Sequence, residues 1–547
     1  MKKRALAPVM WILLGAYPVL FLYAQNLRQL HLLDLWAPLL IALGASAAIF
    51  LLWLVIMRCT VKAGLMTVLW AVVFWSAPYL ERFLYWLGIG IFSPSVKLKL
   101  FFALLALLLL LFPLLIYRVR ATPPQVVQAV SVMTLVLIGL SLVQIVPHEA
   151  QRLFQALRRM KTREHFQPQQ AAAQGELPNI IHVVLDAYGR ADVLKTRYGL
   201  DNEPFLQELE RRRFYVMRES AANYNLTLLC LSSMLNMRYV EGAMGAPDDT
   251  APLSDTVRNS LVRKELQQRG YRYVVFESGW PLTDIKDADE FHATTINWTP
   301  FQSTLLAMTP IPQYTTMRGM NVMDFFQLQR QRVRNVFGRV PEVRDLDAPV
   351  YVFAHVLSPH VPFVFGADGS NRQWDRPYSA RDGSDYLDDG GSPEEYREGY
   401  REQLQYINTL VLQMVDRVQK RMTRPTIIMV HGDHGPAMGL VWGDVDASDV
   451  RERMCNFAAI YLPDEEYGDL YPRMSLVNYY RLIFTRYLNA AYPPLKDKSL
   501  FTDWYHLYTY TTIQPERLGL DFNEPPPTYA NTDRPRSPRV DKKGGGI

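Results

Sequence analysis

Cysteine is nearly absent from this chain, with only Cys59, Cys230 and Cys455 among 547 residues. No zinc-type cysteine spacing is present. Cys59 lies beside an apolar segment, so there is room for at most one disulfide, and the sequence leaves open whether Cys230 and Cys455 form it. Charge of one sign is also scarce. A net charge of +5, with no basic stripe interleaved with aromatics, argues against nucleic-acid binding. No internal repeat occurs. Apolar residues make up 49% of the chain but are placed very unevenly. Roughly the first quarter is almost wholly apolar, and the rest reads as an ordinary globular mixture.

Five stretches are long enough to cross a hydrocarbon core of about 30 Å: 7–24, 35–57, 66–90, 98–117 and 126–147. The fourth, "LKLFFALLALLLLLFPLLIY", is the clearest. The third is the weakest, because it contains Glu81 and Arg82, which such a span would hold at an interface or against protein. No small-residue cleavage site follows the first stretch, so it reads as an anchor rather than a removed leader. Lys2, Lys3, Arg4, Arg58, Lys62, Arg118 and Arg120 fall on one side, against Arg28, Lys97 and Lys99 on the other. That bias predicts a cytoplasmic N-terminus, and five crossings then put everything after about residue 150 outside the cytoplasm. Residues 148–178 begin with the basic, helically spaced "EAQRLFQALRRMKTREHF", which suits either an amphipathic helix on anionic headgroups or a solvated linker. Residues 523–547, rich in proline and charge, are expected to be disordered.

Between 179 and 522, short apolar runs alternate with helical patterns. The runs "NIIHVVLDA", "YRYVVFES", "PVYVFAHVLS", "TIIMVHGDHG" and "FAAIYLPD" predict an α/β domain whose mostly parallel sheet is covered by helices on both faces. In such sheets ligands bind beyond the carboxyl ends of the strands. Three runs end in metal-binding residue types: Asp186; His355 and His360; and His431, Asp433 and His434. An isolated Asp after a strand commonly caps a helix, and a lone His is commonly a core residue. Three coincidences at equivalent strand ends predict a metal site. Mixed carboxylate and imidazole donors suit Zn²⁺ or Mn²⁺ better than Ca²⁺ or Mg²⁺. The stretch "ANYNLTLLCLSSMLNM" turns from polar to helically apolar, which puts Thr227 near a helix start as either a nucleophile or a plain cap. Arg451 and Arg453 follow the metal loop, as phosphate contacts or ordinary surface residues.

The motifs "VVLDAYGR", "NYNLTLLCLSSML", "HVLSPHVPF" and "GDHGP" occur in the order found in the alkaline phosphatase/sulfatase superfamily. The chain resembles its membrane-anchored phosphotransferase branch: lipoteichoic acid synthases, phosphoglycerol transferases and phosphoethanolamine transferases. The resemblance implies a transmembrane domain over 1–147, a linker over 148–178 and a catalytic domain over 179–522. It implies Asp186, Thr227, Asp433 and His434 as ligands of one divalent metal, with Thr227 as nucleophile. His360 would meet substrate phosphate or a second metal, with His355 supporting its loop, and His355 and Arg453 are further possible substrate or second-metal residues. It further implies a multi-pass protein of the bacterial cytoplasmic membrane with an extracytoplasmic catalytic domain. That protein would move a phospho-alcohol headgroup from a phospholipid donor to a lipid or glycan acceptor, or act as a phosphodiesterase, phosphatase or sulfatase-like hydrolase on the same site. The oligomeric state stays open. Three features depart from the family. The sulfatase C/S-x-P-x-R pattern is missing, since "LSS" follows Cys230. No histidine follows the "DH" pair by about a dozen residues, where Asp444 and Asp446 stand instead. With three cysteines, the chain cannot be rich in disulfides as the phosphoethanolamine branch usually is.

Overall fold

The computed structural model describes residues 11–27, 30, 32–86, 94–118, 123–162, 176–242, 244, 246–294, 300–318, 324–372 and 378–520. The expected tail and most of the linker after residue 162 lie outside these.

Three helices among the described residues are long and apolar enough to cross a membrane: Asp34–Met57, Val96–Arg118 and Pro124–Phe154. A bent pair, Thr60–Trp75 and Ala77–Leu84, turns by 63° and makes a fourth if it is counted as one span. Against the five spans expected from sequence, the described residues show three or four; the expected spans 7–24 and 66–90 lie partly outside the described residues. Proline also interrupts both of these stretches. Pro78 stands where the bent pair breaks. Pro18 opens the short helix Tyr17–Gln25, which is cut off from the 3₁₀ turn Trp11–Gly15. The ring fixes φ and removes an amide donor, so each proline starts a helix more readily than it continues one. The helix Pro124–Thr162 runs without interruption through Pro147, past the point where the sequence suggested a linker begins.

The remaining chain builds a seven-stranded sheet in the order β2-β7-β6-β1-β5-β3-β4. The strands are β1 (Asn179–Leu185), β2 (Tyr215–Val216), β3 (Arg272–Phe276), β4 (Glu290–His292), β5 (Val350–Val356), β6 (Thr426–His431) and β7 (Ala458–Tyr461). Only the pairings of β7, with β2 and with β6, are antiparallel. All seven residues of β1 are buried. Its side chains alternate between two cores, with Ile180 and Val184 in one and Ile181, Val183 and Leu185 in the other. This is the pattern of a central strand with helices on both faces. A separate pair, β8 (Ser499–Phe501) and β9 (Thr511–Ile513), is antiparallel.

Register sets the site. Val184 stands beside His355 on β5 and beside His431 on β6. The residues just past these positions emerge together at the carboxyl edge.

A buried polar chain runs beneath that edge. His431 Nδ1 donates to the Gly432 carbonyl at 2.8 Å, so its Nε2 is left to accept. His182 Nε2 meets it at 2.8 Å, and the Tyr480 hydroxyl donates to His182 Nδ1 at 2.8 Å. Burial pushes the His431 pKa down to about 4, and both rings are fully buried. Tyr480→Phe removes the partner of His182 Nδ1. It is expected to destabilise the fold by about 1–3 kcal/mol, measured by denaturant unfolding.

Candidate active site

Asp186 is the first residue after β1, and its amide bonds to the Val356 carbonyl at 2.9 Å. Ala187 follows with φ of +64°, a left-handed conformation that costs a residue with a Cβ free energy. The turn aims the Ala187 amide at Asp433, whose Oδ1 accepts it at 3.2 Å. The "GDHG" glycines allow the matching approach from β6. A Cβ on Gly432 would lie 2.5 Å from the Tyr188 carbonyl, and one on Gly435 would lie 2.1 Å from that of Glu452. Both distances forbid any other residue without backbone movement.

Asp186, His355 and Asp433, all buried, offer ligand atoms within 4.8 Å of one another. Asp186 Oδ1, His355 Nε2 and Asp433 Oδ2 have no hydrogen-bond partner. Three orphaned polar atoms converging in a buried pocket are costly unless a cation satisfies them. The donor set therefore fits a divalent metal. His355 Nε2 lies 3.4 Å from Asp186 Oδ2, and its Nδ1 is held by Thr283 Oγ1 at 3.0 Å. Such a second contact orients a ligating imidazole. The sequence reading left His355 as a support for its loop or a possible second-metal or substrate residue, and here its ring nitrogen faces the carboxylates.

Thr227 is the first residue of the helix Thr227–Leu235, and Leu226 occupies the capping position. The Thr227 hydroxyl lies 2.9 Å from His434 Nε2, so capping does not account for it. His434 Nδ1 donates to the Gly435 carbonyl at 2.9 Å, which leaves Nε2 as the lone-pair nitrogen. That atom is 3.2 Å from Asp433 Oδ2 and 3.7 Å from Asp186 Oδ1. Burial, then the Arg453 charge, lowers the His434 pKa to about 3, so the ring is neutral. Asp186, Thr227, Asp433 and His434 thus meet as the sequence suggested, with His355 beside them.

A second pole adjoins the first. His360 donates its amide to the Asp186 carbonyl at 3.0 Å, and its Nε2 lies 3.3 Å from Asp382 Oδ2. Burial alone would lower the His360 pKa, but Asp186 and Asp382 outweigh it and the net shift is upward. Arg453, 3% exposed, bonds to His434 Nε2 at 3.0 Å and to the Asn225 carbonyl at 2.8 Å, and lies 3.7 Å from Asp382 Oδ2. Arg451 instead pairs with Asp192 at 2.6 Å. Neither Asp444 nor Asp446 joins this cluster. Asp444 accepts the amides of Asp446 and Ala447, and Asp446 faces Arg517. Asp382 is the acid the sequence reading missed. It sits in "RDGSDY", a loop stretch with no strand before it and no motif around it.

The two carboxylates shift in opposite directions. Burial would raise the Asp186 pKa, but His360, His355 and His434 hold it low. Burial, then the Asp186 charge, pushes Asp433 up. All three cysteines are free, with Cys230 and Cys455 both buried.

Arg453→Lys keeps a charge but loses the planar fork that spans three partners. It is expected to lower kcat/KM by about 10- to 100-fold, the worth of one charged hydrogen bond, read by steady-state kinetics on a phosphodiester.

The chain belongs to the sulfatase family, whose model matches residues 178–479, more than half of the protein. A search of curated proteins finds no match. Similar solved structures include the C-terminal periplasmic domain of EptC from Escherichia coli in complex with zinc. It is 13% identical with a TM-score of 0.38, and the alignment covers 59% of this chain and 85% of that one. Another is the integral membrane lipooligosaccharide phosphoethanolamine transferase EptA from Neisseria meningitidis, 12% identical with a TM-score of 0.35, covering 87% and 94%. A third is the lipoteichoic acid synthase LtaP from Listeria monocytogenes, 12% identical with a TM-score of 0.34, covering 60% and 76%. The chain is a sulfatase-family member that carries apolar helices ahead of its sulfatase domain.

Proposed function

We propose that this protein is a membrane-anchored, metal-dependent transferase. It moves a phospho-alcohol headgroup from a phospholipid to a lipid or glycan acceptor through a phospho-threonine intermediate. The observation that carries this is Thr227 Oγ1, buried at a helix start, 2.9 Å from His434 Nε2 and beside the orphaned carboxylates. A threonine there cannot become the formylglycine of a sulfate esterase, so phosphoryl chemistry is favoured. Residues 1–147 act as the membrane domain, 179–522 as the extracytoplasmic catalytic domain of a bacterial inner-membrane protein.

Asp186, His355, Asp433 and His434 would hold a divalent cation, Zn²⁺ or Mn²⁺. When bound, it lowers the pKa of a ligated hydroxyl and offsets charge on phosphoryl oxygens. Thr227 Oγ1 attacks phosphorus after its hydroxyl proton has passed to solvent. The bond from phosphorus to the diacylglycerol oxygen breaks. His360, whose pKa Asp186 and Asp382 raise against the effect of burial, supplies that oxygen with a proton. Arg453 draws a nonbridging oxygen toward the same pole. The acceptor alcohol then displaces Thr227 by the reverse path, and water in its place makes the reaction a hydrolysis.

Purified protein incubated with phosphatidylglycerol or phosphatidylethanolamine, labelled in the headgroup, tests this. Diacylglycerol release with label trapped on Thr227 is the expected result. No labelled protein and no diacylglycerol from either lipid would overturn it.

A further inference from the structure

Two short helices, Pro300–Ala307 and Ile311–Met317, follow β4 and take no part in the site. Neither belongs to the two sheet-packed cores. Phe301 and Leu305 instead pack with Val19, Leu20, Tyr23, Leu35 and Ile145 of the apolar N-terminal helices. Tyr314 meets Phe102 edge-on at 6.3 Å. The side of the second helix that carries Tyr314 is otherwise outward-facing, with Ile311 38% exposed, Tyr314 49% and Met317 44%. These positions lie three apart, on one side of a helix, and Arg318 beyond them is also exposed.

We infer that the Ile311–Met317 helix is an interfacial membrane element: its apolar side contacts the headgroup and upper acyl region of the outer leaflet. The inference rests on the reading of Val96–Arg118 as a membrane span. Continuity with that span identifies the occupant. Phe102 is three residues past Lys99, about 4.5 Å further along the helix. Tyr314 therefore sits about one turn inside the end where Lys97 and Lys99 mark the water boundary. That depth suits a partly buried amphipathic helix, about 5–10 Å into the boundary. Tyrosine is enriched at this level, and an arginine at the helix end can extend to the headgroups. The other contacts agree on the side. Tyr23, Leu35 and Ile145 lie toward the helix ends that the positive residues place outside. Arg152 there bonds to the Leu30 carbonyl at 2.9 Å and lies 3.5 Å from Asp249 of the sulfatase domain.

The consequence is an orientation. β4 runs parallel to β3, so the helix pair leaves the sheet at its carboxyl edge, the edge that carries Asp186, His355 and Asp433. A lipid contact by Ile311, Tyr314 and Met317 holds that edge toward the headgroups the reaction consumes.

The test uses the full chain with Cys59→Ser, reconstituted in phosphatidylglycerol/phosphatidylethanolamine vesicles. Nitroxide labels are placed singly by Ile311→Cys, Tyr314→Cys or Met317→Cys. Leu107→Cys, on the span, is the lipid control. Leu346→Cys, before β5 and so at the opposite edge of the sheet, is the water control. At the three helix positions, oxygen is expected to relax the label more than a nickel chelate does, as at Leu107→Cys and opposite to Leu346→Cys. A water-like signature at all three with Leu107→Cys lipid-exposed would overturn this inference and leave the membrane reading standing. A water-like signature at Leu107→Cys would overturn both. Labels shielded from both reagents would mean that protein, such as a second copy, covers the face, and would also overturn it.

Discussion

Thr227→Ala is expected to abolish headgroup transfer, with kcat falling by at least about 10³-fold, since removing a nucleophile takes away a whole covalent step. Trapped label should vanish from the protein and diacylglycerol release should fall with it. Thr227 is 8% exposed and its hydroxyl contacts His434. Alanine leaves only a small gap at the helix start, so the fold should persist and the loss should be chemical. The informative contrast is Thr227→Ser. It keeps an oxygen at the same place and should retain a measurable part of the activity. A Thr227→Ala protein that turns over normally would remove the basis of the proposed mechanism.

Asp433→Asn should separate stability from metal affinity. In the metal-free protein, Asp433 and Asp186 are two buried acids, and burial together with their mutual repulsion pushes Asp433 up. An amide relieves that repulsion and keeps an oxygen for the Ala187 amide, so the metal-free melting temperature should hold or rise. Cation binding should weaken by more than about 100-fold, because a first ligand matters at least as much as its supporting contacts. Wild type at a hundred times Kd should gain about 2.7 kcal/mol from Zn²⁺ or Mn²⁺, and the variant should gain almost none. Calorimetry and thermal melts read both effects. The pH dependence follows with a definite sign. Asp433 must lose its proton to ligate, and its pKa is raised, so binding releases protons and weakens as pH falls through the Asp433 titration. Asp433→Asn should flatten that slope.

Much of the site was readable before folding because strand ends announce themselves. An apolar run closing on Asp186, and another closing on "HGDHG", needed no partner strand to be noticed. Thr227 was visible as a helix start, although only its contact with His434 separates a nucleophile from a cap. His355 was read as a loop support or a possible second-metal or substrate residue. Its placement depends on register, since His355 stands beside Val184 and so beside the turn that bears Asp186. Asp382 carried no signal because it comes from an irregular loop. Its position is held by the Tyr396 hydroxyl at 2.9 Å, fourteen residues later and on a helix. The five expected spans rested on hydropathy, which does not register where Pro18 and Pro78 restart a helix.

The sequence by itself determined the class of fold, the apolar N-terminal region, and the residue types that can gather a divalent cation. These depend on composition and on short-range periodicity, which exist before any long-range contact forms. Tertiary structure alone decided that His355 faces Asp186 and Asp433, that Asp382 pairs with His360, and that Arg453 rather than Arg451 enters the site. It alone also set the Ile311–Met317 helix against the span at Phe102. Each of these is a meeting of side chains distant along the polypeptide, and only strand register and helix packing bring them together.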